Sequence, residues 1–549
     1  PELNDDLQHH SVGCYTAESS VKKGNREAEA ELATAEKLSA VGSVAWGAHY
    51  PKDEFTAAWK RVLFLQFHDS MAGTALPEHY KTAREGYGRA IDVAQQAEYL
   101  SAQRLAWQVP TTDPESNYLF VFNPHAWKTT QNIEYDLGLN DHSPYAIKDG
   151  AGAAVPFQWI QATTVAEGRR RIVARVSLPA FGYTQIRIKN IAVAPTAVAS
   201  DSATYLKAEK DLLENNSLRV SFSPNGTIGI FDKKAGKEIF RGGQTGARAV
   251  VLKDENDTWA HTVVSYTDEI GSFKQDSIKL VESGPLRAQM RVHSVYGNSS
   301  LTVDWILYAD SDRLEARIAL DWHEHMKMLK FSFPLDVKAP KATYEIAYGA
   351  MVRATKGEED PGQRWVDVSD SGDSHGVAVI NDAKYGYSVN GSDLRVSVAR
   401  GAVYANHLPQ KLEPNVDYQW EDQGLQSFRM IVAPHAGSWQ EAGVVRQAEE
   451  LTSPALVVYQ GIHPGTRLQS DSFLSADSPN IVVSAIKQAE EGDDLIVRMY
   501  ETTGRQTTAK LDLGFAKTQW SGEFHPFEIK TLRINSKAGT VSEVNILEQ

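Results

Sequence analysis

The stretch Val62-Leu-Phe-Leu-Gln-Phe-His-Asp-Ser-Met-Ala-Gly-Thr74 decides how the first hundred or so residues fold, because an apolar periodicity runs directly into two chemically competent side chains. Counting back from it, Phe55, Trp59, Val62, Leu63 and Phe67 recur at helical spacing, which predicts one amphipathic helix. Pro51 and Asp53 supply a start signal and Gly73 a stop. On this reading His68 and Asp69 occupy the last turn, where side chains leave the apolar face and point into a cleft. An isolated His-Asp pair is ordinarily a satisfied histidine beside a solvated carboxylate, so the pair alone does not define a site.

Working outward, Glu18 to Leu38 is rich in Ala, Glu and Lys and holds no proline, which suits a long helix. A third helix opens near Pro77 and runs through Tyr80, Tyr87, Ile91, Ala94 and Leu105 toward Trp107. Three long helices with short connections make a bundle over residues 1–110, ended by Val109-Pro-Thr-Thr-Asp-Pro114. From Tyr118-Leu-Phe-Val-Phe122 the period falls to about 2. Arg171 to Leu178 and Tyr183 to Lys189 alternate in the same way, giving a small β domain at 115–192. Ile191 to Thr204 reads as a linker or an edge strand.

Residues 205–448 read as short strands and turns, including Leu301 to Tyr308, Leu314 to Leu320 and a hairpin signal at Pro224-Asn-Gly226. That length of short strands predicts one large two-sheet sandwich. A terminal β domain follows at 455–549, with Leu495-Ile-Val-Arg-Met-Tyr500 as its clearest strand. The fold class expected is therefore multidomain α+β, a three-helix bundle followed by β-sandwich domains.

The chain has 549 residues, enough for three or four domains. Its 42% apolar and 23% charged content is that of a globular protein. A net charge of −14 argues against a nucleic-acid partner or an anionic membrane, which require the opposite sign. No apolar run approaches the ~18–20 residues of a membrane span. Cys14 is the single cysteine, so neither an intrachain disulfide nor a cysteine-rich zinc site is available. This favours a reducing cytoplasm while leaving the periplasm or secretion open. Cys14 itself reads as a small buried filler, since nothing around it marks a lowered pKa.

There is no P-loop, no dinucleotide G-x-G-x-x-G and no G-x-S-x-G elbow. His323-Glu-His325 places two imidazoles on one face of a strand, but no third ligand is evident, so the pair reads as structural. Asn381, Asp382, Lys384 and Tyr385 read as turn chemistry.

The run Trp59 to Thr74 resembles the "WK…NQFHD…GT" signature of the family 38 α-mannosidases, with Leu65 standing where that signature has asparagine. Asp5 to Thr16 is similar to the "ELQHHAVGCY" segment of bacterial members. Arg313 to His325 with Leu329-Lys-Phe-Ser-Phe-Pro334 resembles their "RLEFRTEVDWHE…LKVAFP", and Asn381 to Tyr387 their "LND.KYGY". The resemblance implies a large galactose-mutarotase-like β-sandwich and a zinc-dependent retaining glycosidase acting on an α-mannoside or mannose-containing glycan. It implies that His68 is one of four zinc ligands and Asp69 a sugar contact. It also makes Tyr15 a candidate aromatic wall and His10 a candidate polar contact, and if a loop of the large sandwich reaches the sugar site, Arg353 is its candidate contact.

No catalytic carboxylate of that family is expected within these residues. The nucleophile, the general acid and the other zinc ligands would belong to an N-terminal catalytic domain of the same protein. The opening Pro1-Glu-Leu-Asn-Asp-Asp begins in mid-motif without methionine, which marks the chain as the C-terminal part of something longer. A homo-oligomer is left open. The rival expectation is a carbohydrate-binding or scaffold protein that holds glycan on exposed tryptophans such as Trp365 or Trp439.

Overall fold

The structure, a computed structural model, describes residues 11–138, 143–162, 168–191 and 205–549. The expected linker falls almost wholly outside them, as does His10. The protein is multidomain α+β, with few helices and many antiparallel sheets. Three long helices appear: α1 (Ser19–Ala45), α2 (Lys52–Leu65) and, after a five-residue helix α3 (His68–Ala72), α4 (Pro77–Ala106). Cα proximity divides the chain into two compact units, and each long helix contributes one segment to each. The first comprises Pro1–Glu27, Lys60–Arg89 and Tyr205–Ala448; the second comprises Ala28–Trp59, Ala90–Thr204 and Glu449–Gln549.

In the first unit a nine-stranded, a six-stranded and a five-stranded antiparallel sheet share one core. The hairpin expected at Pro224-Asn-Gly226 joins Leu218–Phe222 to Ile228–Asp232, with Gly226 at φ +76° as such a turn requires. Leu314–Trp322 alternates buried with less buried residues and pairs with Ser299–Tyr308. In the six-stranded sheet, strands Arg248–Lys253 and Asp393–Arg400 flank Lys327–Pro334, with Lys253 opposite Lys327 and Arg400 opposite Met328. The loops after Lys253 and after Arg400 therefore leave the same end of the sheet. That register places the functional geometry described below.

In the second unit Ser116–Asn123 feeds two cores from one strand. Leu119 and Val121 enter one with Ile172, Ile186 and Ile188. Phe120 and Phe122 face the other way, toward Val41, Trp46 and Leu105 of the helices and the strands near the C-terminus. A strand buried on both faces loses alternation in its sequence, which explains the unbroken run Tyr118-Leu-Phe-Val-Phe122.

Candidate functional site

The helix expected to run to the stop at Gly73 ends instead at Leu65. Gln66 and Phe67 close a tightened last turn onto Val62, Leu63 and Phe64, and Phe67 itself is extended at φ −50°, ψ 142°. His68 and Asp69 therefore open α3 rather than finish α2. This corrects the expected last-turn position, and the break has a physical consequence: it turns the following residues off the apolar face. Phe55, Val62 and Leu65 remain buried, whereas Leu63, Phe64 and Phe67 are exposed. The helical spacing of Leu63 and Phe67 is real, but their face is not covered here.

Gly73 ends α3 at φ +85°, a conformation that suits glycine. A Cβ there would also lie 2.7 Å from the Ala17 carbonyl oxygen, so the segment following the Val12–Tyr15 turn packs directly on α3. Lys22, buried on α1, donates to the carbonyls of Ala17 and Met71 and ties the two together. Burial lowers the Lys22 pKa, opposed by nearby acidic side chains such as Asp422 and Glu18. The chain after α3 is held onto Asp69. Thr74 Oγ1 donates to Asp69 Oδ1 at 2.9 Å, and Tyr80 donates its phenolic proton to the Asp69 carbonyl at 3.0 Å. The other carboxylate oxygen, Oδ2, stands 3.5 Å from His68 Nε2.

His68 is open to solvent, its side chain 78% exposed, with its ring against Phe67 at a centroid distance of 4.2 Å. Phe64 at 74% and Leu76 at 62% extend the exposed apolar surface along the same stretch of chain. Tyr15 is half-buried in the Val12–Tyr15 turn, which touches α3. The structure thus brings Tyr15, His68 and Asp69 onto neighbouring elements. Arg353 lies at the end of strand Gly349–Arg353, buried, donating to the Pro361 carbonyl and sitting 5.0 Å from the Tyr344 ring centroid. It is held by packing inside the sandwich.

Behind the Val12–Tyr15 turn lies a buried ionic cluster. Arg400 donates from Nε to Asp254 Oδ2 at 2.6 Å and from its other nitrogens to the carbonyls of Asp257 and Thr258. Asp422 accepts the backbone N–H and hydroxyl of Ser19, and burial lifts its pKa to about 6. Glu421 is fully buried, neither carboxyl oxygen is hydrogen-bonded by any described residue, and burial raises its pKa well above the usual carboxylate range. Burial likewise pushes the Cys14 thiol up to about 11, while its side chain is half-buried rather than the fully buried filler expected.

Other sequence readings resolve individually. His323 pairs with Asp321 at 2.8 Å, while His325 stacks on Trp420 at 4.2 Å, so the two imidazoles have separate neighbours. Asn381 Oδ1 accepts the N–H groups of Ala383 and Lys384, which is turn chemistry. Trp365 and Trp439, which the rival expectation needs exposed, are buried and 4.9 Å apart, so they offer no sugar platform. Among the described residues one grouping of three metal-competent side chains exists, and it does not include His68: Asp257, His261 and His407. The sequence reading missed it. The four-residue spacing of Asp257 and His261 was the only local signal.

The fold, long helices followed by antiparallel β-sheet domains, defines a multidomain α+β protein, and comparison with known proteins gives the family. Residues 9–105 match the alpha mannosidase middle domain, 213–409 the glycosyl hydrolases family 38 C-terminal domain, and 480–522 the family 38 C-terminal beta sandwich domain. The chain belongs to glycosyl hydrolase family 38. It is 25% identical to Alpha-mannosidase G of Dictyostelium discoideum, aligned over 90% of this chain and 47% of that one. Against human Alpha-mannosidase 2C1 the identity is 28%, over 92% of this chain and 46% of that one. The chain thus spans about half the length of these relatives. In fold it is similar to an alpha-mannosidase from Enterococcus faecalis V583, with TM-score 0.78, 17% identity, and coverage of 96% of this chain and 68% of that one.

Proposed function

We propose that this chain is the central and C-terminal part of a zinc-dependent, retaining α-mannosidase that releases terminal α-D-mannosyl residues from glycans or glycosides. The observation that carries the reading is α3: a five-residue helix, set off by a backbone break, that holds His68 and Asp69 side by side and open to solvent within the segment matching the mannosidase middle domain. In this reading His68 is one zinc ligand. A single imidazole fits one position of such a site and does not hold the ion alone, because catalytic zinc takes three protein ligands or more. The remaining ligands, the nucleophile and the general acid are assigned to an N-terminal catalytic domain.

Bound zinc would supply Lewis acidity and a template for a pair of sugar hydroxyls. The residues of this chain orient the sugar around it. Asp69 has Oδ1 engaged by Thr74, which leaves Oδ2 to accept a ring hydroxyl beside the His68 ligand position. Tyr15 offers an aromatic wall from the adjoining turn. The exposed Leu63, Phe64, Phe67 and Leu76 support a partner surface over this region, since side chains of this size are costly to leave in water together.

The test is hydrolysis of an aryl α-mannoside with added zinc, by this chain and by the chain extended upstream through its natural start. The expected result is that only the extended protein turns over and that His68→Ala abolishes it. Full activity of the extended His68→Ala protein would remove His68 from the site, and an inert extended protein would remove the mannosidase reading.

A further inference from the structure

Asp257, His261 and His407 come from two loops, one after strand Arg248–Lys253 and one after strand Asp393–Arg400. Because both strands flank Lys327–Pro334 in the register given above, the loops emerge together. Their candidate ligand atoms all lie within 4.8 Å of one another, with the aspartate buried and both histidines exposed. His261 Nδ1 stands 2.9 Å from Asp257 Oδ2. Two donors of a tetrahedral ion stand about 3.3 Å apart when metal–ligand bonds are near 2.0 Å, so this pair is already at chelating separation.

The third donor is preset by its neighbour. His407 Nδ1 donates to the Leu408 carbonyl, which fixes the tautomer whose Nε2 carries the lone pair. The same Leu408 donates its N–H to Asp257 Oδ2 at 3.1 Å, across 151 residues of sequence. The His261 N–H reaches Asp257 Oδ1 at 3.2 Å. The carboxylate is therefore aimed by two backbone donors, and the backbone beneath it is gripped by Arg400 through the Asp257 and Thr258 carbonyls. Trp259 packs beside both imidazoles, 5.8 Å from His261 and 5.0 Å from His407 between ring centroids. One side of the cluster is thus walled and the other faces solvent.

We infer that Asp257, His261 and His407 form a binding site for a divalent transition metal of the zinc class, separate from the position at His68, which clips the loop after Arg400 to the loop after Lys253. Two imidazoles and a carboxylate suit such an ion and leave coordination positions for water or another ligand. On binding, the proton on His261 Nδ1 passes to Nε2 by tautomerisation, which frees the Nδ1 lone pair for an ion seated between nitrogen and the Asp257 carboxylate. The clip acts close to the Val12–Tyr15 turn, because Gly13 N–H donates to the Trp259 carbonyl at 3.1 Å. Occupancy of the clip would thereby steady the turn that carries Tyr15.

The probe is Co2+, titrated into the metal-stripped 549-residue chain and followed by visible d–d absorption and calorimetry, with Zn2+ competing. The expected result is one ion per chain, displaced by Zn2+, and a melting temperature raised by Zn2+. His407→Ala and His261→Ala should each weaken binding at least ~10-fold and cancel the Zn2+ shift, while His68→Ala and the exposed control His525→Ala leave both unchanged. Both histidine substitutions are at exposed positions, so folding is checked by circular dichroism. Absence of Co2+ binding would overturn the site. Binding that survives His407→Ala and is lost in His68→Ala would assign the ion to the mannosidase position instead, overturning this inference without touching the proposed function.

Discussion

His68 and His407 are both exposed imidazoles of the same compact unit, and they are positioned by opposite means. His68 sits beside its carboxylate neighbour in sequence, on a five-residue helix held by a glycine and a threonine within six residues. His407 meets Asp257 only because two strands share a neighbour, with Leu408 bonding across 151 residues. In the proposed reading the first arrangement is local and offers one ligand, so it needs groups from elsewhere. The second is long-range and offers three, so it is complete within the chain. The difference teaches that a recognisable motif and a self-sufficient site are separate properties.

That contrast can be broken from either side. The largest effect is expected from Arg400→Met, which removes the cation holding buried Asp254 and the carbonyls of Asp257 and Thr258. Leaving a carboxylate buried without its partner costs about 3–5 kcal/mol. Urea unfolding should show that loss, and Co2+ titration of the remaining folded protein should show weakened binding. A protein of unchanged stability would mean that Asp254 finds water or another donor.

Gly73→Ala attacks the other site. The substitution forces a Cβ to 2.7 Å from the Ala17 carbonyl at a φ of +85°, and overpacking of this kind costs about 1–3 kcal/mol. It is expected to disturb His68 and Asp69, lowering mannosidase turnover of the extended protein, while Co2+ affinity stays at the parent value. Equal damage to both would show that the two sites are mechanically one.

The third prediction concerns pH. Glu421 has a folded pKa raised by burial, so the neutral acid is the form the native state prefers. Its contribution is complete below the unfolded value, about 4.3, and declines as pH rises toward and through the folded pKa. Glu421→Gln, which cannot ionise, should lie within about 1 kcal/mol of the parent at pH 4. It should gain on the parent steadily at higher pH in unfolding measurements. Parallel stability curves for the two proteins would place an ionised, solvated Glu421 in the native state.

The helices and most strands were legible because their signals are local. Pro51, Pro77 and the Asn225-Gly226 turn mark boundaries through backbone chemistry that acts within a few residues. Leu314 to Leu320 announces its buried face by alternation. The end of α2 was less legible, because Leu63 and Phe67 keep helical spacing on a face that is exposed in this structure. Tryptophan burial was illegible too. Tryptophans are more often core than platform, but only the 4.9 Å packing of Trp365 on Trp439 assigns these two to the core.

What the sequence determined by itself was the order of helical and β segments, the family resemblance and the pairing of His68 with Asp69, all carried by residues adjacent or regularly spaced along the chain. Tertiary structure alone decided that α2 breaks before His68, that Arg353 is held inside the sandwich, and that the Glu421 carboxyl is buried with no hydrogen-bond partner among the described residues. It also decided that Asp257, His261 and His407 converge. The physical reason is common to all of these. Each depends on strand register or on which face another element covers, and those are free-energy balances over contacts between residues far apart in sequence, to which no local pattern responds.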